Sequence, residues 1–217
     1  MSFSTLKQSL RLYVIPDRVI GAPLSLEEQA RLAVEGGATA IQLRDKEMDG
    51  GELLRAAKIL SALCKERGVL FIVNDRLDVA LLSGADGVHL GQSDLPVKEA
   101  RRLAPRPFIV GASAHTPEEA LRAGSDGADY IGVGAVFGTG SKGDAAVIGL
   151  EGLRATAAAT ALPSVAIGGI TAENLPDVMR CGVDGVSVIS AAVRGDVKGN
   201  AQRLAEMLYN DRAPTRV

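Results

Sequence analysis

The chain has 217 residues, of which 47% are hydrophobic and 3% aromatic, and its formal net charge is −2. A charge so close to zero excludes a strongly basic surface for nucleic acid or an anionic membrane, so we expect small-molecule partners. No segment approaches the roughly 20 apolar residues of a membrane span, and the amino-terminal residues lack the apolar run of a secretion signal. We therefore expect a cytoplasmic protein in which Cys64 and Cys181, far apart in sequence, are buried free thiols.

Eight short apolar segments rich in Val and Ile alternate with amphipathic segments along the chain. Such segments, bounded by Gly, Pro, Asp or Asn, are typical of buried parallel strands. The predicted strands are residues 12–17, 40–45, 70–75, 87–92, 108–114, 130–137, 164–169 and 185–191. Helix start signals precede two of the amphipathic segments, Ser25 with Glu28 in one and Thr116 with Pro117 and Glu119 in the other.

A glycine-containing motif recurs just before strands two, four, six and eight. It begins at Gly37, Gly84, Gly127 and Gly182, where a helix ends and a residue tolerant of positive φ is favoured. Four occurrences in phase indicate repeated βα units. Eight strands with eight helices predict a single domain, a closed (β/α)₈ TIM barrel over residues 1–217 with a short polar tail at about 211–217. An open doubly wound sheet is the alternative.

Polar residues collect at the carboxyl ends of the predicted strands, where barrels of this class carry their active sites. In the second strand Gln42, Arg44 and Lys46 share one face, while Leu43 and Asp45 share the other. Three polar side chains on one face do not suit an apolar core layer, and a closed barrel has no free edge to solvate them. Because Arg offers a planar fork and Lys a compact charge to phosphate oxygens, we predict an anion site here.

The third and fourth strands end near carboxylates. Asn74 and Asp75 end the third strand, and Asp94 follows the fourth. Two carboxylates beside phosphate-binding cations suit Mg²⁺, which keeps several waters and bridges substrate phosphate oxygens. The alternative is that Asp75 and Asp94 are N-caps of the helices that follow them.

The fifth strand ends with Ser113 and His115. His115 is a candidate general base, but a residue just before a helix start can equally pack or cap. His89 lies inside the apolar fourth strand, where we expect a hydrogen-bonded interior histidine rather than a catalytic one.

The seventh and eighth strands end in Gly168-Gly169-Ile170 and Ile189-Ser190-Ala191. Backbone amides after the last two strands are a recurrent phosphate site in this fold, and paired glycines allow a ligand to approach the chain closely. This predicted site is separate from the Arg44 and Lys46 cluster, so two phosphate groups can be bound at once.

The stretch GVGAVFGTGSKGDA, residues 132–145, follows the sixth strand. It is not a dinucleotide-binding motif, because Phe137 stands where the last glycine of GxGxxG is required. Nor is it a P-loop, because Ser141 separates the glycine from the lysine. What remains is Thr139, Ser141 and Lys142 in a glycine-rich loop between the two predicted anion sites.

Taken together, these positions resemble the thiamine phosphate synthase family, also called thiamine phosphate pyrophosphorylases, from about Tyr13 to Ala192. The resemblance rests, in this order, on IQLRDK, VNDRLDVALLSGADGVHLGQSD, VGASAHT, DYIGVGAVFGTGSK, GLEGL, AIGGI and DGVSVIS. The family joins 4-amino-2-methyl-5-hydroxymethylpyrimidine diphosphate to a thiazole phosphate, giving thiamine phosphate and pyrophosphate. The resemblance therefore implies a transferase of thiamine biosynthesis with small phosphorylated substrates.

The resemblance also implies roles for individual residues. The pyrimidine diphosphate would be bound by Gln42, Leu43, Arg44, Asp45, Lys46, Asn74, Ser113 and Lys142. The thiazole phosphate would be bound by Thr139, Gly140, Ser141, Gly169, Ile189 and Ser190. Asp75 and Asp94 would hold Mg²⁺. The implied mechanism is dissociative: the aminopyrimidine expels pyrophosphate, and the thiazole nitrogen captures the resulting cation, while Arg44, Lys46 and Lys142 stabilise the departing charge.

The chain departs from the family in the glycine-rich loop. Family members commonly carry Phe-Pro-Thr-x-Thr-Lys, whereas this chain has Phe-Gly-Thr-Gly-Ser-Lys at 137–142. Ser141 keeps a hydroxyl, but ordering Gly138 and Gly140 around a ligand costs about 1 kcal/mol per residue, so we expect weaker thiazole phosphate binding.

Two other functions stay open at this point. One is a thiazole tautomerase-like barrel, although GVGAVF lacks the histidine that such proteins carry near the end of strand six. The other is a non-catalytic phosphate-ligand sensor, for which paired metal carboxylates would be superfluous. A homo-oligomer is compatible with the sequence, which does not fix the assembly.

Overall fold

The computed structural model describes residues 3–138 and 146–210, and the strands within these ranges form one closed barrel. Each strand is parallel to its neighbours in chain order, and β1 pairs with β8 to close the ring. The strands are β1 Leu12–Val14, β2 Ala40–Leu43, β3 Leu70–Asn74, β4 Gly87–Leu90, β5 Ile109–Ala114, β6 Tyr130–Val133, β7 Ser164–Ile167 and β8 Gly185–Val188. The single-domain (β/α)₈ barrel is confirmed, and the open sheet is excluded.

Ten helices lie within the described ranges, two more than the sequence predicts. They are α1 Phe3–Ser9, α2 Leu26–Glu35, α3 Gly50–Arg67, α4 Leu77–Ser83, α5 Val97–Leu103, α6 Pro117–Ser125, α7 Gly149–Ala158, α8 Leu175–Met179, α9 Ser190–Val193 and α10 Val197–Asn210. The unpredicted helices are α1 and the four-residue α9. Leu6 of α1 and the adjoining Leu10 are buried with residues of the barrel interior, so this segment covers the amino end of the barrel.

The predicted strands are too long at their carboxyl ends, except β5, which ends at Ala114 as predicted. Asp75 has φ 62° and Gly168 has φ 103°, and neither value is compatible with an extended strand. The polar residues placed by the sequence at strand ends therefore lie mainly in the loops that follow, at the carboxyl end of the barrel. We call this end the mouth and the opposite end the base.

Alternation along the strands builds two apolar clusters, one inside the barrel and one between the barrel and its helices. Tyr13, Ile72 and Tyr130 belong to the inner cluster, whereas Ile41 and Val73 belong to the outer one. Because the inner cluster includes two tyrosines, their hydroxyls need partners inside the barrel, and these partners lead to the mouth.

The glycine motif that recurs in the sequence marks a repeated contact at the base. The four glycines have φ between 70° and 101°, as predicted. Two residues after each glycine, a side chain accepts a hydrogen bond from the backbone N–H of the preceding strand. The pairs are Leu12 with Thr39 (2.9 Å), Phe71 with Asp86 (2.8 Å), Val110 with Asp129 (2.9 Å) and Ser164 with Asp184 (3.0 Å). We call these pairs the base clamps.

Each base clamp is reciprocal. The backbone N–H of the accepting residue donates back to the carbonyl of its partner at 2.9, 3.0, 2.7 and 2.8 Å, in the same order. The clamps thus join β1 to β2, β3 to β4, β5 to β6 and β7 to β8. The repeat seen in the sequence is a strand-pairing device at the base of the barrel.

The predicted helix starts are also confirmed. Ser25 forms a complete capping box with Glu28. Thr116 accepts a bond from the Glu119 N–H, although the Glu119 carboxylate bonds to His115. No helix among the described residues is both long and apolar enough to cross a membrane.

Both cysteines are buried free thiols, as predicted. Burial, followed by the nearby charge of Asp86, raises the pKa of Cys64 to about 12, so this thiol is unreactive at neutral pH.

Candidate active site

A chain of polar side chains runs through the barrel interior to the mouth. The Gln42 amide donates to the Tyr13 hydroxyl at 2.7 Å, and this hydroxyl lies 3.2 Å from that of Tyr130. The Tyr130 hydroxyl lies 3.0 Å from His89 Nδ1, and His89 Nε2 lies 3.0 Å from Ser113 Oγ. Two residues predicted to bind substrate, Gln42 and Ser113, are thus the two ends of one interior network.

His89 is the hydrogen-bonded interior histidine that the sequence predicts. Burial raises the pKa of both Tyr13 and Tyr130 above the ordinary tyrosine value, so the two hydroxyls stay protonated. The room for the Tyr130 ring comes from Gly111, where an added Cβ would lie 2.2 Å from Tyr130 Cζ. The network therefore holds its side chains in fixed orientations through hydrogen bonds.

Four charged side chains predicted from three different strand ends come together at the mouth. The Asp75 and Asp94 carboxyls lie within hydrogen-bond reach of each other, and the charges of Lys46 and Arg44 act on Asp75. Among the described residues neither Arg44 nor Lys46 is within ion-pair distance of a carboxylate. The two cations are therefore available to an incoming anion.

The environment of Asp75 disfavours its charge. Burial is the largest cause, followed by the hydrogen bond and the repulsion from Asp94, and together they raise the pKa of Asp75 from 3.8 to about 6. Lys46 and Arg44 act in the opposite direction but do not outweigh these effects. A cation between the two carboxylates would relieve their repulsion, so the pair fits a divalent metal ion electrostatically.

The donor set fits Mg²⁺ bound together with a phosphorylated ligand. Within residues 3–138 and 146–210, no group of three or more His, Cys, Asp and Glu side chains could hold a metal ion. Asp75 and Asp94 would therefore offer two hard oxygen donors, and water and substrate phosphate would supply the remaining ligands. A closed all-protein metal centre does not fit the described residues.

The alternative reading of the two carboxylates as helix N-caps is wrong. The N-cap of α4 is Arg76 and that of α5 is Pro96, and neither makes a side-chain cap. Asp94 instead accepts a hydrogen bond from the Gly91 N–H at 2.6 Å, which fixes the turn after β4. Asp75 continues the strand ladder through its own N–H to the His89 carbonyl at 2.8 Å.

Asp45 differs from its neighbours Arg44 and Lys46 because its side chain already makes several hydrogen bonds within the protein. It accepts both arms of the Arg18 guanidinium and the backbone N–H groups of Glu47 and Met48, each at 2.8 Å. Burial would raise the pKa of Asp45, but these bonds outweigh it and hold the pKa below its ordinary value. Its strand-mate Leu43 is buried in the outer apolar cluster.

His115 is held by the helix that follows it. Its Nδ1 lies 3.0 Å from Glu119 Oε2, and the same oxygen accepts the His115 backbone N–H at 2.6 Å. His115 nevertheless lines the mouth cleft, whose free space of about 670 Å³ is open to solvent. Its ring is a wall of the cleft, anchored by one carboxylate.

The loops after β7 and β8 also line this cleft. They contribute Gly168, Gly169 and Ile170 after β7, and Ile189 and Ser190 after β8. The paired glycines are required by the chain itself: both have positive φ, and an added Cβ at Gly168 would lie 2.7 Å from the Ala135 backbone. The sequence predicts that a ligand approaches these two glycines closely. In the described residues, the segment after β6 lies against them instead.

Some of the predicted site lies outside the described residues. Thr139, Gly140, Ser141 and Lys142 fall between the two described ranges. Their predicted contacts with either substrate stay predictions, as does the effect of the glycine-rich loop on affinity.

Sequence reasoning missed several residues that line the interior beneath the mouth. Tyr13 and Ser187 border the inner cavity together with Gln42 and Asn74, and Tyr130 belongs to the inner apolar cluster. The alternation of period two along β1, β6 and β8 could have identified these polar side chains as inward-facing, because each stands next to an outward apolar residue.

Comparison with known proteins shows the family of the chain. Residues 12–192 match the family model described as "Thiamine monophosphate synthase". The chain belongs to this family. It is an enzyme of the alkyl-transferring class, as the sequence predicts.

The individual relatives are similar over nearly their whole length. The thiamine-phosphate synthase of Coprothermobacter proteolyticus is 54% identical over 204 residues, which cover 94% of this chain and 97% of the relative. That of Methanocella arvoryzae is 55% identical over 199 residues, covering 91% and 94%. The solved structure of thiamine phosphate pyrophosphorylase from Pyrococcus furiosus matches with a TM-score of 0.89 and 45% identity, covering 95% of this chain and 99% of that one.

Proposed function

We propose that this member of the family condenses 4-amino-2-methyl-5-hydroxymethylpyrimidine diphosphate with thiazole phosphate, releasing pyrophosphate. The observation that carries the proposal is the meeting of Asp75 and Asp94 with Arg44 and Lys46 at the mouth. A carboxylate pair beside two unpaired cations suits a metal-bound diphosphate better than a monophosphate alone. The similarity to thiamine-phosphate synthases of other organisms supports the same activity.

The two substrates would occupy opposite sides of the mouth. Arg44 and Lys46 would bind the diphosphate, and Gln42, Asn74 and Ser113 would contact the pyrimidine at the top of the interior network. Gly169, Ile189 and Ser190 would bind the thiazole phosphate, and Thr139, Gly140, Ser141 and Lys142 would complete the site between the reactants. Leu43, which is buried in the outer apolar cluster, would support the diphosphate side of the mouth.

In this proposal Asp75 and Asp94 hold Mg²⁺, which neutralises charge on the diphosphate when bound. The protein has no need of a strong base, because pyrophosphate leaves before the new bond forms. Arg44, Lys46 and Lys142 stabilise the charge that develops on the leaving group. The cleft aligns the thiazole nitrogen with the pyrimidine methylene carbon and excludes water that would otherwise capture the cation.

The interior network would contribute by orientation. Because His89 Nε2 lies 3.0 Å from Ser113 Oγ, the Ser113 side chain is held in place at this end of the network. Glu119 fixes the orientation of His115, and the proposed mechanism requires no general base from it. The cytoplasmic location and a homo-oligomeric assembly stay predictions from the sequence.

The experiment that tests this function mixes the purified protein with both substrates and Mg²⁺ and measures pyrophosphate and thiamine phosphate. We expect the two products in equal amounts, and neither product when one substrate is left out. Conversion of a thiazole phosphate without pyrophosphate release would instead identify a tautomerase-like enzyme. Binding of both compounds without turnover would identify a phosphate-ligand sensor.

A further inference from the structure

The loop between β1 and α2, residues 15–25, is braced from below by a buried glutamine. Gln29 of α2 is fully buried, and its side chain makes three hydrogen bonds to this loop. It accepts from the Asp17 N–H at 3.0 Å and donates to the carbonyls of Asp17 and Leu24 at 3.1 and 2.9 Å. The loop therefore has a defined shape that is set by the helix beneath it.

Two further contacts fix the same loop. The Asp17 carboxylate accepts the backbone N–H groups of Val19 and Ile20 at 2.9 and 2.7 Å. At Gly21 an added Cβ would lie 2.3 Å from the Gln29 side chain, so the chain passes directly over the glutamine. Arg18, which lies between these anchored residues, is presented from a rigid support.

Arg18 is directed at the neighbouring loop of the mouth. Its guanidinium donates to both oxygens of the Asp45 carboxylate, one through Nε and the other through Nη2 at 2.9 Å. The Asp45 side chain is only 9% exposed, whereas the Arg18 side chain is 46% exposed. A two-armed bond to a shielded carboxylate fixes the direction of the carboxylate as well as its distance.

Asp45 passes this constraint to the residues on both sides of it. Its Oδ1 also accepts the Glu47 and Met48 N–H groups, so one carboxylate organises the whole turn after β2. Arg44 and Lys46 are the immediate neighbours of Asp45 in the chain, and their charges reach Asp75. Any rotation of the Asp45 carboxylate would therefore shift both cations relative to the carboxylate pair.

We propose that Arg18 is a positioning residue, which holds Arg44 and Lys46 in place for the diphosphate group through its two-armed bond to Asp45. The inference rests on the proposed function and adds a residue, from a different loop, that the resemblance does not assign. The Nε and Nη2 groups of Arg18 are engaged by Asp45, and in this proposal Arg18 acts on the ligand through the β2–α3 loop.

The test measures binding of pyrophosphate with Mg²⁺, and of thiazole phosphate, by calorimetry on the full chain. We expect Arg18→Ala to weaken Mg²⁺–pyrophosphate binding roughly tenfold, since small displacements of charged groups at a site have effects of this size. Thiazole phosphate binding should change less than about twofold, because its predicted ligands lie on other loops. A loss of general structure would weaken both ligands, so the selective effect identifies positioning.

Asp45→Asn gives a second way to break the same contact. Asparagine keeps an oxygen that can accept the Glu47 and Met48 N–H groups, but it loses the charge and one of the two acceptors for Arg18. We expect Asp45→Asn to match Arg18→Ala, and the double variant to be no weaker than either single variant. Arg18→Lys, which offers a compact charge in place of the fork, should restore part of the affinity.

Arg31→Ala is the matched control, because Arg31 is 45% exposed and pairs with Glu35 on α2, at 2.7 Å. It should leave both affinities unchanged. If the double variant instead lost roughly a hundredfold in Mg²⁺–pyrophosphate affinity, the product of the two single losses, Arg18 would contact the ligand directly. That result would overturn the proposal. Unchanged binding in both single variants would overturn it too. If the wild-type protein itself binds no Mg²⁺–pyrophosphate, the proposed function fails instead.

Discussion

At the base of the barrel, Asp86, Asp129 and Asp184 each accept a backbone N–H from the preceding strand, whereas at the mouth Asp75 and Asp94 face each other. The carboxylates at the base accept hydrogen bonds from backbone N–H groups of the barrel strands. At the mouth, burial and then the closeness of Asp94 disfavour the charge of Asp75, although Asp94 itself accepts the Gly91 N–H. The same residue type therefore contributes to stability at one end of the barrel and opposes it at the other.

The difference shows which carboxylates are structural and which are held for a ligand. A buried charge that is paired stabilises the fold or is neutral, while an unrelieved pair lowers stability unless a cation binds. Substitutions at the two ends should therefore separate activity from stability, and the largest effect is expected at the mouth.

Replacing Asp75 by Ala should reduce turnover about a thousandfold, because one of two Mg²⁺ donors is lost where charge develops on pyrophosphate. The free energy of unfolding should stay the same or rise, since the repulsion from Asp94 is removed. Lys142→Ala should likewise reduce turnover far more than stability. Steady-state rates and urea unfolding of each variant check both statements, and near-normal turnover in the two variants would remove these residues from the mechanism.

Asp129→Ala should have the opposite profile. The carboxylate pairs with Arg101 and Arg106 and accepts the Val110 N–H at 2.9 Å, so its removal leaves these donors unsatisfied. We expect the free energy of unfolding to fall by about 3 kcal/mol. The turnover rate per folded molecule should remain that of the wild type. A loss of activity without a loss of stability would contradict the assignment of the base clamps to structure.

The smallest effect concerns pH. The pKa of Asp75 is raised to about 6 in the folded chain. Between about pH 4 and pH 6, the folded chain therefore keeps a proton on Asp75 that the unfolded chain has already released. The stability contributed by this group is thus present below pH 4 and is lost as the pH rises through 6. Since Asp75 is only half-buried, solvent screening limits the loss to about 1 kcal/mol.

Urea unfolding with a chelator present, at pH values between 4 and 8, measures this effect. Asp75→Asn should become more stable than the wild type as the pH rises, with the difference developing around pH 5 to 6. Added Mg²⁺ should reduce the difference, because the metal ion stabilises the wild-type carboxylate pair. A difference that is independent of pH would show that Asp75 titrates normally.

Much of the fold could be predicted from the sequence. Short apolar segments rich in Val and Ile, together with four glycine motifs in phase, predict the barrel, since both patterns follow from local backbone geometry and burial. Helix α1 could not be predicted in this way, because among residues 5–10, whose burial is described, only Leu6 and Leu10 are buried, and their role depends on the open base of the barrel. Strand ends were misplaced because they depend on the neighbouring strands.

The site could be predicted in part, for a physical reason. Arg44, Asp75 and Asp94 follow strand ends and differ in type from core residues, so their location at the mouth could be inferred. The engagement of Asp45 by Arg18 could not, because it joins two loops whose conformations are set by Gln29 and by the β2 turn. Loop-to-loop contacts of this kind have no periodic signal.

The most direct test compares pyrophosphate release by the wild-type protein, Asp75→Ala and Asp129→Ala, with both substrates saturating and Mg²⁺ varied from none to saturation. We expect release by the wild type to require Mg²⁺ and release by Asp75→Ala to be about a thousandfold slower at every Mg²⁺ concentration. Asp129→Ala, measured below its unfolding temperature, should keep the wild-type rate. Release that is independent of Mg²⁺, or equal losses in the two variants, would contradict the division between the mouth and the base.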